Sequence, residues 1–158
     1  MTKIRIIPSL LISKSRAVKG QKFLNHKDCG DIVRLCNAHE SQLADEIILI
    51  DLDAYQKKIF PKSNIIKKVN EECSTPLIFG GNISCLKDAL KAINNGADKI
   101  LINTNLEKKK LVQNLCKHFG RQAIVAGIDL IKKKNKYVVF NKEKDVDPLE
   151  WIKKILKK

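Results

Sequence analysis

The chain has 158 residues, 44% apolar, 30% charged and only 5% aromatic, which allows one domain with an aliphatic core; no apolar run approaches the roughly 18–20 residues of a membrane span. Its formal charge of +14 would suit nucleic acid, but only four of its 31 basic residues are Arg (Arg5, Arg16, Arg34 and Arg121). Without the Arg fork, or aromatic residues interleaved to stack on bases, the better reading is a solvated, Lys-rich surface, and nucleic acid is disfavoured as a partner.

Short, β-branched and nearly continuous apolar runs at 4–10, 46–50, 76–79, 99–102 and 123–128 predict strands buried on both faces, as in a parallel sheet. Amphipathic stretches at 31–43, 63–73, 84–95 and 105–119 predict the helices between them. Ser63, Ser84 and Asn105 are expected N-caps, and Gly96 and Gly120 expected stops. A fifth helix, 148–156, has Asp147 as N-cap and Pro148 in its first turn. The stretch 12–30 is long for a βα loop and holds Lys14, Lys19, Gly20 and Lys22, so it is a candidate lid. An insertion at 131–146 contains the apolar run 136–140 and reads as a small hairpin. The order predicts a single α/β domain, 1–158, of consecutive parallel βα units joined by right-handed crossovers.

Five cysteines (Cys29, Cys36, Cys73, Cys85 and Cys116) make an odd number without a C-x-x-C pair, and three histidines are dispersed. Neither a disulfide framework nor a metal site is suggested, and no cofactor is called for. Cys36 and Cys116 fall on apolar helix faces and are expected to be small core residues. The amino-terminal segment lacks the longer apolar stretch and cleavage site of a signal peptide, so the chain reads as cytoplasmic.

Ligands of parallel α/β folds bind at the carboxyl ends of the strands. Those ends carry Ser9-Leu10-Leu11, Asp51-Leu52-Asp53, Gly80-Gly81-Asn82, Asn103-Thr104 and Asp129. Gly80-Gly81 lets backbone approach an anion, and Asn103-Thr104 offers donors before a helix; together they suggest a phosphate site, although a tight turn explains the glycines as well. Asp129 is costly to bury unless paired or used, and could act as general acid or base; a helix cap or a partner for a loop lysine is the structural alternative. Asp51 has the same two readings, with the structural one favoured. At the opposite ends, Arg5, Glu46 and Lys99 begin strands with charges of mixed sign. They could form a salt-bridged ring, or be routine surface charge, which is the default.

Arg5-Ile6-Ile7, Val18-Lys19-Gly20, Gly30-Asp31, Ala44-Asp45-Glu46, Gly96-Ala97-Asp98-Lys99, Ile102-Asn103-Thr104, Phe119-Gly120, Gln122-Ala123-Ile124-Val125 and Ile128-Asp129 follow one another along nearly the whole chain. In this order and spacing they resemble the HisF family, the cyclase subunit of imidazole glycerol phosphate synthase. The resemblance implies an eight-unit TIM-type barrel, of which this chain holds about five units. It also implies a HisH-type glutaminase partner at the amino-terminal face, ammonia as co-substrate and a phosphorylated, sugar-linked substrate. Arg5, Glu46 and Lys99 then fall on three of four residues of the ammonia gate, Lys19, Gly81, Asn103 and Thr104 at or near the phosphate-binding end, and Asp129 on one of two catalytic aspartates. The other aspartate is expected where this chain has Leu11, and Asn82 stands where a third glycine is expected. Ile7-Pro8-Ser9-Leu10-Leu11, Leu49-Ile50-Asp51-Leu52-Asp53-Ala54 and Asp147-Pro148-Leu149-Glu150-Trp151 look more like a paralogous branch associated with amidation of surface sugars. With five units the first and fifth strands are expected to be open edges, through which the chain could self-associate. The remaining units would be encoded separately, lost to an interrupted gene, or replaced by a second copy.

Overall fold

A computed structural model describes residues 4–21, 24–57, 64–140, 142 and 144–156. A seven-stranded sheet has the order β3-β2-β1-β4-β5-β6-β7, from β1 (Ser9–Ser13), β2 (Arg16–Gln21), β3 (Leu24–Gly30), β4 (Ile47–Asp51), β5 (Leu77–Gly80), β6 (Lys99–Ile102) and β7 (Ile124–Ala126). From β1 through β4, β5, β6 and β7 every pairing is parallel. The fold is thus α/β, with the repeating βα units of a partial TIM-type barrel.

Helices α1 (Ile32–Ser41), α2 (Leu52–Lys57), α3 (Ile65–Glu72), α4 (Leu86–Asn94) and α5 (Lys109–Phe119) lie between strands. A separate hairpin, β8 (Leu130–Lys133) and β9 (Lys136–Val139), precedes α6 (Pro148–Leu156). This is the excursion expected at 131–146. Its Lys134 takes the left-handed turn conformation.

The alternation of side chains along strands sorts the core into two faces. Ile47, Leu49, Leu77, Phe79 and Ile100 point to the helices and are completely buried. Buried Ile32 and Cys36 of α1, Val69 of α3, Ala89 and Ala92 of α4 and Leu115 of α5 meet them. Each fully buried aliphatic side chain contributes about 1.5–3 kcal/mol. Cys36 lies in this core, and burial raises its thiol pKa to about 12; Cys116 is only half-buried. On the other face a row runs Leu11–Ile50–Gly80–Leu101–Val125 through paired positions. Leu11, Ile50, Leu101 and Val125 are only half-buried. One side of the sheet is sealed and the other is partly open.

Several sequence expectations change here. The first strand is 9–13 rather than 4–10: Ile4 and Ile6 are 88% and 71% exposed, so apolar character there does not mean a core strand. The expected loop at 12–30 is a strand pair, β2 and β3, laid antiparallel on the edge of β1, with Leu11 opposite Val18 and Ile12 opposite Ala17. Over Leu11–Ser13 the first parallel strand is therefore not an open edge. An unpaired row of N–H and C=O groups is costly to leave, and the hairpin satisfies it. β7 is an edge, as expected, but only three residues long. Leu52 and Asp53, read as part of the strand end Asp51-Leu52-Asp53, open a helix instead.

Asp147 caps α6 as expected, its carboxylate accepting from Leu149 and Glu150 N–H at 2.9 and 3.0 Å. Gly96 and Gly120 follow α4 and α5 with φ of +106° and +84°, where glycine avoids strain. Asn105 is not the cap of α5, which begins at Lys109. Ser63, another expected cap, lies outside the described residues, as does Lys22.

Ser84 stands just before the observed N-cap of α4, Cys85, and works with Asp88. The Asp88 carboxylate accepts from Ser84 N–H at 3.0 Å and from its hydroxyl at 2.7 Å. Burial pushes the Asp88 carboxyl up, but the bonds from Ser84 and Cys85 outweigh it and hold the group below its ordinary value of 3.8. A carboxyl depressed by folding contributes stability above its unfolded value and loses it as pH falls through the folded one. Ser84→Ala is accordingly expected to cost about 1 kcal/mol at neutral pH. In urea titrations that difference should shrink once the pH falls below the ordinary carboxyl value.

Candidate functional site

Glu46 immediately precedes β4. Counting back two from Ile48 places it on the half-open face, yet it is 5% exposed. Its Oε2 accepts from Lys99 Nζ at 2.6 Å, and its Oε1 accepts from Arg5 Nη1. Lys99 opens β6, two strands away. The Asp45 carboxylate accepts from Ile6 N–H at 2.8 Å, which fastens the segment carrying Arg5. A buried carboxylate is tolerated only when paired, and here two cations share it. The structure thus joins Arg5, Glu46 and Lys99 at the amino-terminal end of the parallel strands, favouring the ring over routine surface charge. Ile48 and the buried Ile78 lie in register with Lys99, two residues along β4 from Glu46.

At the carboxyl end, Asn103 follows β6 and Asp129 follows β7. Asn103 Nδ2 donates to Asp129 Oδ2 at 2.9 Å. That bond ties the Asp129 carboxylate to the loop after β6; a carboxyl so held is a group able to take or give a proton. Thr104 is exposed beside Asn103. Asn105 is buried and donates through Nδ2 to the Ile83 carbonyl at 2.8 Å, tying the loop after β6 to the loop after β5.

The glycines at this end have packing reasons. A Cβ on Gly80 would meet the Leu101 side chain at 3.0 Å, and one on Gly127 would meet it at 2.9 Å. Leu101 fills the gap between these two backbones. A Cβ on Gly81 would lie 3.0 Å from Asp51 Cβ and 3.2 Å from the Phe79 ring. Asp51 itself is 6% exposed and accepts from Ala54 N–H at 2.9 Å, capping α2. Asn82 takes φ +46°, a conformation usually left to glycine but open to asparagine.

Lys19 is placed elsewhere. It lies on β2, exposed and opposite Lys27, on a strand that runs back from the carboxyl end toward the amino-terminal end. The structure does not bring it to Asn103 and Thr104. Leu11 lies within β1 opposite Ile50, two residues before the strand ends at Ser13.

Asp53 and Asn105 were missed as organising residues. Asp53 accepts from Ser13 Oγ at 2.9 Å and from Lys14 N–H at 2.7 Å, holding the turn between β1 and β2. Asp53 stands in the first turn of α2, where a carboxylate already suits the helix dipole, so the run Asp51-Leu52-Asp53 carries no separate signal of that contact. Among the described residues no group of three His, Cys, Asp or Glu side chains could hold a metal ion. An open cleft of about 560 Å³ is walled by Arg16, Cys29, Gly30, Asp31, Arg34 and Leu35, and contains none of the candidate residues. Among the described residues no helix is long and apolar enough to cross a membrane.

Residues 5–158 match the family described as histidine biosynthesis protein. The chain is 37% identical to the imidazole glycerol phosphate synthase subunit HisF of Sulfurisphaera tokodaii, over 99% of this chain and 65% of the relative. It is 40% identical to the protein of the same description from Sulfolobus acidocaldarius, with the same coverage. To that from Alkaliphilus metalliredigens it is 34% identical, over 96% of this chain and 62% of the relative. The chain therefore spans a little under two thirds of the length of these relatives.

Proposed function

The chain belongs to the histidine biosynthesis protein family, and on that premise, with its likeness to HisF subunits beside it, we propose that it supplies the amino-terminal units of a HisF-type cyclase. In this reading a HisH-type glutaminase docks at the amino-terminal ends of the strands. Ammonia passes the Arg5–Glu46–Lys99 cluster and travels along the half-open face to the carboxyl ends. There Asp129, oriented by Asn103, serves as general acid or base on a phosphorylated, sugar-linked substrate.

The observation that carries the proposal is the pair of polar clusters at opposite ends of one apolar face: the shared Glu46 carboxylate below and the Asn103–Asp129 pair above. Small residues and aliphatic side chains line the stretch between, which offers ammonia a path without competing hydrogen-bond partners. Asn103, Thr104, Gly80 and Gly81 surround the substrate's expected phosphate. Asp51 stays structural, and Lys19 contributes only if the hairpin that carries it changes place.

Two finer readings accompany this one. The segments 7–11, 49–54 and 147–151 favour the branch associated with surface-sugar amidation, in which ammonia delivery matters more than ring closure. Leu11 favours a non-catalytic role as holder of the glutaminase, because an aliphatic side chain cannot shuttle a proton.

The test combines the chain with its glutaminase and with the portion of a relative's HisF subunit that lies beyond the matched region. Glutamine-dependent turnover of a phosphorylated substrate is expected. Absence both of turnover and of any phosphorylated-ligand binding in that assembly would overturn the cyclase reading. Retained glutaminase binding without turnover would favour the holder instead.

A further inference from the structure

β5 and β6 run side by side, with Gly80 opposite Leu101, so the loops after them leave the sheet as neighbours. Asn105 bridges those loops. Its Nδ2 donates to the Ile83 carbonyl at 2.8 Å, and the residue is buried. The other polar end of that same peptide group, the Ser84 N–H, donates to the Asp88 carboxylate at 3.0 Å. The Ile83–Ser84 peptide is therefore held twice, by Asp88 from α4 and by Asn105 from the loop of the neighbouring strand.

The loop after β6 is fixed as closely. Leu106 N–H donates to the Asn103 carbonyl at 2.9 Å and Lys108 N–H to the Asn105 carbonyl at 3.0 Å, closing two successive turns. Leu106 is buried in the core. The Asn103 side chain is engaged by Asp129. Thr104 stands exposed between Asn103 and Asn105. A donor whose neighbours are already fixed is ordered before a ligand arrives, and binding then costs less entropy.

We propose that Asn105 is a positioning residue for the phosphate end of the site. By holding the Ile83–Ser84 peptide it sets the spacing between the backbone at Gly81–Asn82 and Thr104, so that one anion is met from both loops. The inference deepens the cyclase reading and rests on it for the molecule that carries the anion. The bridge acts through other groups: Asn105 is itself buried and touches no ligand. Without its amide the buried Ile83 carbonyl loses its donor, and the two loops must part to let water replace it.

The test is a titration of inorganic phosphate into the isotopically labelled full chain, with the Gly81 and Thr104 amide signals read together. Both should move with one dissociation constant. Asn105→Ala should raise that constant about tenfold, the worth of one well-placed hydrogen bond. Asn105→Leu, which keeps the branched shape and removes the donor, should do the same. Val69→Ala, a core truncation on α3, should lower stability and leave the constant unchanged. In the complemented assembly Asn105→Ala should raise KM for the phosphorylated substrate by the same factor, with kcat within about twofold of the parent. Silent amides in the parent chain, an unchanged constant in the Asn105 variants, or an equal rise in Val69→Ala would overturn the proposal. So would a fall in kcat at constant KM. Phosphate binding that depends on Asn105, without turnover in the assembly, would count against the cyclase reading and leave the positioning role standing.

Discussion

Phe79→Ala is expected to lower the unfolding free energy by about 3–5 kcal/mol, measured as a shift of the urea midpoint. Domains of this kind are held by roughly 5–15 kcal/mol in total, so much of the margin would go. Phe79 is the largest of the fully buried side chains. Its neighbours in register are Leu49 on β4 and Ile100 on β6, both completely buried. Gly81 is glycine partly because the ring passes 3.2 Å from where its Cβ would be. Truncation removes a ring from the middle of the five parallel strands, where neighbours on both sides are fixed by the ladder and cannot close the hole. The comparison that makes the result specific is Ile50→Ala on the half-open face, which should cost less than half as much. Equal losses would mean that the second face is as well sealed as the first.

Asp129→Asn should reduce turnover of the complemented assembly by about 10²–10⁴-fold. The substitution keeps the shape of the side chain. A carboxamide oxygen at 129 can still accept the Asn103 amide bond, so the orientation survives and only the exchangeable proton chemistry goes. Glutaminase binding should be unchanged, because Glu46, Arg5 and Lys99 stand at the other end of the strands. Steady-state turnover and a binding titration on the same preparation separate the two. Turnover at the unsubstituted level would remove Asp129 from the chemistry and favour the non-catalytic holder.

Where the sequence could be read well, one face of each element decided the matter. The runs 46–50, 76–79 and 99–102 are strands to within one residue, because a strand covered by helices must be apolar almost continuously. The run at 4–10 has the same apolar look and is mostly not a strand. What moves the strand to 9–13 is its register with β4, and no local pattern contains that. The hairpin at 16–30 is polar because it lies on an edge, so its alternation carries no hydrophobic signal to detect. At the site, mixed charge at strand starts singles out Arg5, Glu46 and Lys99 but leaves routine surface charge as the default; only the burial of Glu46 between two cations decides for the cluster. The Asn103–Asp129 bond was not legible, although both residues were singled out, because it depends on how the loops after two strands converge. Gly80 and Gly81 read as an anion cradle; the contacts with Leu101, Phe79 and Asp51 show how packing alone can require the same residues.

The order in which the strands pair also dictates how the sheet must be assembled. β1, β2 and β3 meet through near neighbours in sequence, and a hairpin forms in about 1–10 μs. Each parallel partner arrives only after a whole crossover, which raises the loop-closure cost and slows the step. A chain emerging from the ribosome would therefore shield one flank of β1 before β4 exists. Growth is then left with a single direction, β4 and then β5, β6 and β7, each strand templating the next as it is synthesised. The hairpin of the finished molecule would thus have acted first as a directional stop, sparing that flank of the half-made sheet from early extension.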